Sequence, residues 1–434
     1  MSDRRLIIHG AALIDGSGAQ PISDSTIVVD GERITYAGRR TIEYDRPGAS
    51  SRNAEGKTII PGLIEAHTHA AFDADMRCYL KNGITSIRFA GLNQDHVAQL
   101  SARITAGEVT GPHILSCGPM IDQAPPAYPE WSVTVSNTAE ATDLADRLIA
   151  KYDLDALIVT QRVTAPVMGA IIDASHARGC PVVGQIWAID GEEAAELGID
   201  ELHTSSRVYR SRAYPAERLV NYSSIPERLA LTSRAWASLD WDLTLPIMGR
   251  MVEKQVKYCG MQVITQYQTG EGVDFLENDG DFLSLFGEDE RLAFHEFTRR
   301  LQGGWSSEDL DYARRANDKR MEWMRRFREL GGVLLAGTDM QFGGIMLHRE
   351  LLNLEKIGLS RLEVIATATS VNATALGIEA VAGIIRPGFR ADVVVLNRDP
   401  LSDISALRDI DLVVKAGNIV VDGGVFTETK RALQ

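Results

Sequence analysis

The chain has 434 residues, 44% hydrophobic and 24% charged, which describes a globular protein with material for two or three domains. Its 45 basic and 59 acidic residues leave a formal charge of −14, a balance that does not build a phosphate-attracting face, so no nucleic-acid partner is expected. Cys78, Cys117, Cys180 and Cys259 form no CxxC pair, which excludes a zinc knuckle and argues against a disulfide framework. The opening MSDRRLIIHGAALIDG lacks the apolar core of a signal peptide, and no apolar run approaches membrane-spanning length. A cytoplasmic chain without a membrane partner is the expectation.

In chain order, residues 1–60 read as short strands. LIIHGAALID, STIVVDGERITYAG and the run ending at KTII are punctuated by the turn signals Asp15-Gly16 and Asp30-Gly31. Residues 61–384 alternate strand and helix. The strands are predicted in IIPGLIEAHTH, ITSIRFAG, HILSCG, DALIVT, CPVVGQIW, IDELHTS, MQVIT and GVLLAGTD, apolar runs of the kind buried on both faces. Helices are predicted from Asn137 to Lys151, with Asn137 or Thr138 as N-cap, and after Ala165, Asp190 and Arg361. Eight such strands with crossover helices predict an α/β chain closed into a (β/α)₈ TIM barrel. Insertions at 205–260 and 266–330 are too long for simple crossovers and are candidates for lids or substrate walls. The stretch EDLDYARRANDKRMEWMRRFREL reads as one amphipathic outer helix with a wet charged face. Residues 385–434 return to strands, in ADVVVLN and DLVVKAGNIVVDGG. The two ends together predict one small composite β-sandwich domain.

Three signals carry chemistry. His67 and His69 follow an apolar strand two residues apart, so both can project at its C-terminal end, the face where barrel active sites lie. Asp339 ends the last buried strand, a neighbour of the first in a closed barrel. Two imidazoles and a carboxylate brought together suit a divalent ion such as Zn²⁺. His203, at the end of the sixth strand, is a candidate further ligand or a group that polarises a carbonyl. His96, His176 and His295 read as solvated or packing residues, and His348 as at best a neighbour of the site.

PGLIEAHTH, GITSIRFAG, AGTD, ATATSVNATALGI and the tail GIIRPGFRADVVVLNRDPLSDISALRDIDLVVKAGNIV resemble the metal-dependent amidohydrolase superfamily. The resemblance is to its imidazolonepropionase-like and Xaa-Pro dipeptidase branch and spans nearly the whole chain. It implies metal-activated hydrolysis of an amide, lactam, ester or related C–N bond. His67 and His69 match the strand-one ligands, and Asp339 matches the aspartate that contacts metal and shuttles the proton. The sequence departs from the family pattern at other positions. Ile158 stands where dinuclear members carry a carboxylated lysine, and no lysine lies between Lys151 and Lys254 to replace it. Gln185 stands where a histidine is usual, and Phe89 follows Arg88 in place of an aspartate.

These losses predict a single metal, held by His67, His69 and Asp339 with His203 or Gln185 assisting, since three protein ligands and a water suffice for catalytic zinc. Asp339 would take a proton from the activated water and deliver it to the leaving nitrogen, with His203 stabilising the oxyanion if it is not a ligand. Arg207, Arg210 and Arg212 after strand six suit a carboxylate, which points to an N-acyl amino acid or dipeptide-like substrate. Trp187, Trp236, Trp241 and Tyr267 could line a pocket for an aromatic or cyclic group, with Gln185 as a hydrogen-bonding residue. Two other readings stand beside the hydrolase: an acid–base lyase, isomerase or cyclase without metal hydrolysis, and an inactive barrel that binds a metabolite. Homo-oligomerisation is left open by analogy.

Overall fold

A computed structural model describes residues 5–41, 50–69, 73–91, 93–204, 206–215, 219, 222–272, 287–289, 292, 296, 304–340 and 342–427. His295 and much of the predicted 266–330 insertion lie outside them. The N-terminal strands are β1 (Arg5–His9), β2 (Ala12–Leu13), β3 (Ser25–Asp30), β4 (Arg33–Arg39), β5 (Ser50–Asn53) and β6 (Thr58–Pro61). There follow β7 (Leu63–Thr68), α1 (Asp73–Lys81), β8 (Ile84–Phe89), α2 (Gln94–Thr105), β9 (His113–Ser116), β10 (Met120–Asp122), β11 (Ser132–Thr134), α3 (Thr138–Tyr152), β12 (Leu157–Gln161), α4 (Ala165–His176), β13 (Val182–Ile186), α5 (Gly191–Leu197) and β14 (Glu201–His203). The inserted helices α6 (Ile225–Ala237) and α7 (Trp241–Glu253) precede β15 (Lys257–Cys259), α8 (Gln262–Tyr267), α9 (Ser307–Glu329) and β16 (Leu334–Leu335). The chain ends through α10 (Ile345–Lys356), α11 (Arg361–Ala366), α12 (Asn372–Ala375), β17 (Val393–Leu396), β18 (Ile410–Lys415), β19 (Asn418–Asp422) and β20 (Val425–Phe426).

Both ends of the sequence contribute to one sheet, ordered β2-β6-β17-β18-β19-β20, and β6 pairs antiparallel with β17 through Ile60 and Val394. A second sheet, β4-β3-β1-β5, packs on it through a shared core that includes Ile8, Ile27, Val29, Ile59, Val393 and Val395. The predicted strand IIPGLIEAHTH is therefore two strands. β6 belongs to this terminal sheet and β7 to the central one, and the chain changes sheets at Gly62, where a Cβ would lie 2.1 Å from Thr85 Oγ1. Only glycine fits that crossing.

The central strands form two parallel sheets, β7-β8-β9 and β11-β10-β12-β13-β14-β15-β16. Backbone hydrogen bonds join them at both ends, from Ala66 N–H to the Ala336 carbonyl (2.9 Å) and from Asp155 N–H to the Ser116 carbonyl (3.0 Å). Asn372 seals the first of these joins. Its amide nitrogen donates to the Ile64 (2.7 Å) and Ala336 (2.8 Å) carbonyls, and its side-chain oxygen accepts from Ala336 N–H (3.2 Å). The helix signals are found as read: Asn137 caps α3 through Glu140 N–H, and Asp190 caps α5.

One predicted strand is a helix. MQVIT, rich in β-branched residues, forms most of α8, and the strand is the shorter KYC before it. The reason is tertiary. The Glu350 carboxylate accepts the N–H groups of Gln262 and Val263 at 3.0 Å each, satisfying donors that a helix start leaves open. Burial pushes Glu350 up from 4.5 to about 7, against those two N–H groups and with Glu65 and Arg349 as charged neighbours. The folded chain therefore holds this proton more tightly than the unfolded chain. Its stabilising contribution is complete below the unfolded pKa of 4.5 and is lost as pH rises through about 7, a loss of up to about 3 kcal/mol. Glu350→Gln is expected to flatten this slope, measured as urea unfolding midpoints at about pH 5 and about pH 8. Parallel slopes in wild type and variant would rule the assignment out.

Candidate metal centre

Side chains alternate along a strand, so β7 and its continuation aim Glu65, His67 and His69 the same way. His67 is fully buried and His69 nearly so. The Nε2 atoms of the two rings lie 3.3 Å apart. Asp339 Oδ1 lies 3.1 Å from His67 Nε2 and 2.7 Å from His69 Nε2. Among the described residues these three form the group with metal-ligand character. Asp339 reaches it from a left-handed backbone conformation (φ 59°), which costs energy and is found where a site demands it. Gly337 lets the two segments approach, because a Cβ there would lie 2.9 Å from His67 N and 2.8 Å from Cys259 Sγ.

The chemistry of this donor set fits a cation. His69 Nδ1 lies 2.6 Å from the Ala90 carbonyl, which can only accept, so Nδ1 carries a proton and Nε2 faces inward toward Asp339. Burial, with His203 adding, pushes His67 down to about 3, so that ring is neutral, while Asp339 is held well below the carboxylate range. For Asp339 burial works the other way, and its contacts with both imidazoles outweigh it. The neutral His67 ring, the inward-facing His69 Nε2 and a carboxylate oxygen thus crowd within 3.3 Å of one another. A divalent ion satisfies all three.

His203 is placed differently from this group. Its Nε2 donates to Glu201 Oε1 at 2.8 Å, its Nδ1 has no partner among the described residues, and its ring meets His67 edge-on with centroids 4.4 Å apart. It sits beneath His67 and does not line the cavity. Ile158 lies in an apolar cluster with Cys117, Ala156 and Val183, so strand four offers no ligand. His348 donates to the Asn82 carbonyl (3.0 Å), away from the site.

A cavity of about 740 Å³ opens over His69 and Asp339. Gln185 and Trp187 line it, at the inward-facing end of β13. Arg207 and Arg210 do not, because their guanidinium groups are engaged elsewhere. Arg210 pairs with Asp190 (2.6 Å) and Glu192 (2.9 Å), Arg207 reaches the Ala188 and Ile189 carbonyls, and Arg212 pairs with Asp240. The carboxylate anchors predicted from sequence are consumed by the N-caps of α5 and α7. Trp236 and Tyr267 pack in the core, and Trp241 lies under Arg326 on the helix surface.

The sequence reading missed the residues that do form the wall. Trp131 stacks on His69 with ring centroids 5.4 Å apart, and Tyr128 stacks on Trp131. Arg228, 2% exposed, donates to the Tyr128 hydroxyl (2.6 Å) and lies over the Tyr128 ring. Arg320, 6% exposed, belongs to the helix read as wet, yet it lines the cavity. The available signal was position. Arg228 shares the buried stripe of α6 with Thr232 and Ala235, and Arg320 shares that of α9 with Ala313, Ala316 and Trp323.

A family model described as "Amidohydrolase family" matches residues 318–421. The imidazolonepropionase of Streptomyces avermitilis is 26% identical over 207 residues, covering 42% of this chain and 48% of that protein. The ochratoxinase of Aspergillus niger is 21% identical over 477 residues, covering 96% of this chain and 87% of that protein. The chain spans about half or less of the length of the curated imidazolonepropionases and deaminases that it matches. Among solved structures, a putative prolidase from Bifidobacterium longum superposes with a TM-score of 0.73 at 21% identity, over 99% of this chain and 97% of that one. Residues 318–421 are thus similar to the amidohydrolase family, and the chain shares its fold over nearly its whole length with prolidase-like proteins.

Proposed function

We propose that the chain is a metal-dependent hydrolase that cleaves an amide-type C–N bond of a small molecule. The observation that carries this reading is the convergence of His67 Nε2, His69 Nε2 and Asp339 Oδ1 at the edge of a cavity sized for a small-molecule substrate. These three residues would hold one divalent ion, and the imidazole–carboxylate set suits Zn²⁺. Such an ion, when bound, supplies Lewis acidity toward the scissile carbonyl and makes a water nucleophilic near neutral pH. Asp339, ionised and on the cavity wall, is the group placed to accept that water's proton and return it to the leaving nitrogen. Gln185 orients the carbonyl side of the substrate, and Trp187 and Trp131 provide flat apolar walls for a ring or acyl group. His203 acts from below by fixing the plane of His67.

The fold reading that goes with this function is a closed (β/α)₈ barrel over 61–384 with a composite β-sandwich from 1–60 and 385–434. It is supported by the bonds that join the two central sheets and by the mixed terminal sheet. The relatives whose names describe C–N chemistry, a 5-methylthioadenosine/S-adenosylhomocysteine deaminase and a 5′-deoxyadenosine deaminase, agree with the reaction class.

The test is metal analysis of purified protein beside the His67→Ala/His69→Ala variant, with hydrolysis of an N-acyl amino acid panel followed in ¹⁸O-labelled water. About one equivalent of metal that the variant loses, and label in the carboxylic acid product, are expected. A chain that binds no metal, or a product formed without label, would exclude metal-dependent hydrolysis and favour the acid–base alternative.

A further inference from the structure

Two guanidinium groups stand in the wall of this cavity without an acidic partner among the described residues. Arg228 donates through Nη2 to the Tyr128 hydroxyl, and its Nε and Nη1 have no hydrogen-bond partner among the described residues. Among the described residues Arg320 reaches the Asn317 side-chain oxygen at 3.4 Å, lies over the Trp236 ring, and has no partner for Nε. Burial lowers Arg320 to about 10, and no carboxylate offsets it, yet the group stays cationic at neutral pH. Glu130 and Glu296 also line the cavity but are exposed at its rim, and no ion pair joins either to these arginines among the described residues. The remaining acid that lines the wall among the described residues, the half-buried Asp339, is committed to two imidazoles.

Several other arginines are paired. Arg88, Arg210, Arg234 and Arg390 each face a carboxylate within 3.0 Å. Leaving two buried cations unpaired in a chain of net charge −14 is costly, and the cost is recovered when anions enter the cavity. The two come from different inserted helices held together by Arg234–Asp309 (2.8 Å) and by Trp305 Nε1–H donating to the Pro226 carbonyl (2.9 Å). Both insertions thus serve one recognition surface.

We infer that the substrate is a dianion, an amide bearing two carboxylates of the N-acyl acidic amino acid type, with one carboxylate taken by Arg228 and the other by Arg320. Planar guanidinium forks match carboxylates in paired hydrogen bonds, which a neutral or singly charged amide leaves half used. The aromatic walls at Tyr128, Trp131 and Trp187 accommodate the acyl part. The amide in this statement rests on the hydrolase reading, whereas the recognition of two anionic groups does not.

The experiment is calorimetric titration of the full chain with N-benzenesulfonyl-L-glutamate and N-benzenesulfonyl-L-glutamine. The two probes differ in one carboxylate, and their sulfonamide resists hydrolysis. The glutamate probe is expected to bind at least about tenfold more tightly. Arg228→Gln weakens both probes or removes the preference, Arg320→Gln brings the two affinities to within about threefold, and Arg320→Lys retains part of the difference while controlling for folding. Equal affinities in the wild type, no binding of either probe, or a preference that survives both glutamine substitutions overturns the inference. Cleavage is scored separately with ordinary N-benzoyl amides. A dianion preference without any C–N cleavage removes the hydrolase reading and leaves this one, and cleavage without the preference does the reverse.

Discussion

Asp339→Asn is expected to lower turnover of an amide substrate by about 10²- to 10⁴-fold, the range for losing a positioned general base. On the proposed hydrolase reading its carboxylate has two duties. Oδ1 sits 3.1 and 2.7 Å from the two histidine nitrogens, where it contributes a negative charge to a cation site, and the same group faces the cavity where a proton must be taken up. Asparagine keeps the shape and removes both the charge and the basicity. Asp339→Glu is expected to do little better, because the left-handed backbone at this residue (φ 59°) aims a short side chain at the histidines and an added methylene displaces the carboxylate. Measuring kcat alongside bound metal separates the duties. Restoring metal occupancy with excess Zn²⁺ should leave Asp339→Asn slow. Turnover within about threefold of wild type in the metal-loaded variant would remove Asp339 as the proton carrier.

The parts of this centre that local spacing controls are legible in the sequence. A histidine pair two residues apart at a strand end must share a face, and an aspartate closing the last buried strand falls beside it because that strand's end is hydrogen-bonded to β7 through Ala66 and Ala336. The terminal sheet is legible for a similar reason, since turn dipeptides and alternating apolar residues are local. Three features depend on distant partners and are not legible. MQVIT follows the carboxylate of Glu350, nearly ninety residues away, in preference to its β propensity. Arg210 is drawn to Asp190 and Glu192, and local sequence gives no sign that its charge is already used. Arg320 reads as an ordinary surface charge on an amphipathic helix, and nothing local marks Arg228, until α6 and α9 are packed on each other beside the cavity.

Arg88→Met is expected to destabilise the fold by about 3–5 kcal/mol, because it leaves a buried charge without its counterion. Arg88 and Glu201 are 1% and 2% exposed and lie 2.5 Å apart in the layer below the candidate metal centre. Burial would raise Glu201, yet Arg88 and His203 together hold it down to about 2. Arg88→Met/Glu201→Leu, which removes both charges and keeps the volume, should recover most of that loss in urea unfolding. A loss under about 1 kcal/mol in the single variant would show the pair to be dispensable. The site is expected to answer differently from the fold. Arg88 also donates through Nε to the Ala66 carbonyl (2.8 Å), next to His67, and Glu201 fixes His203, whose ring packs against His67. The double variant loses both supports, so its metal affinity, measured by chelator competition, should stay about 10- to 100-fold weaker than wild type even where stability has returned. That separation would identify the Arg88–Glu201 pair as the support that orients His67, whereas full recovery of metal affinity would reduce it to packing.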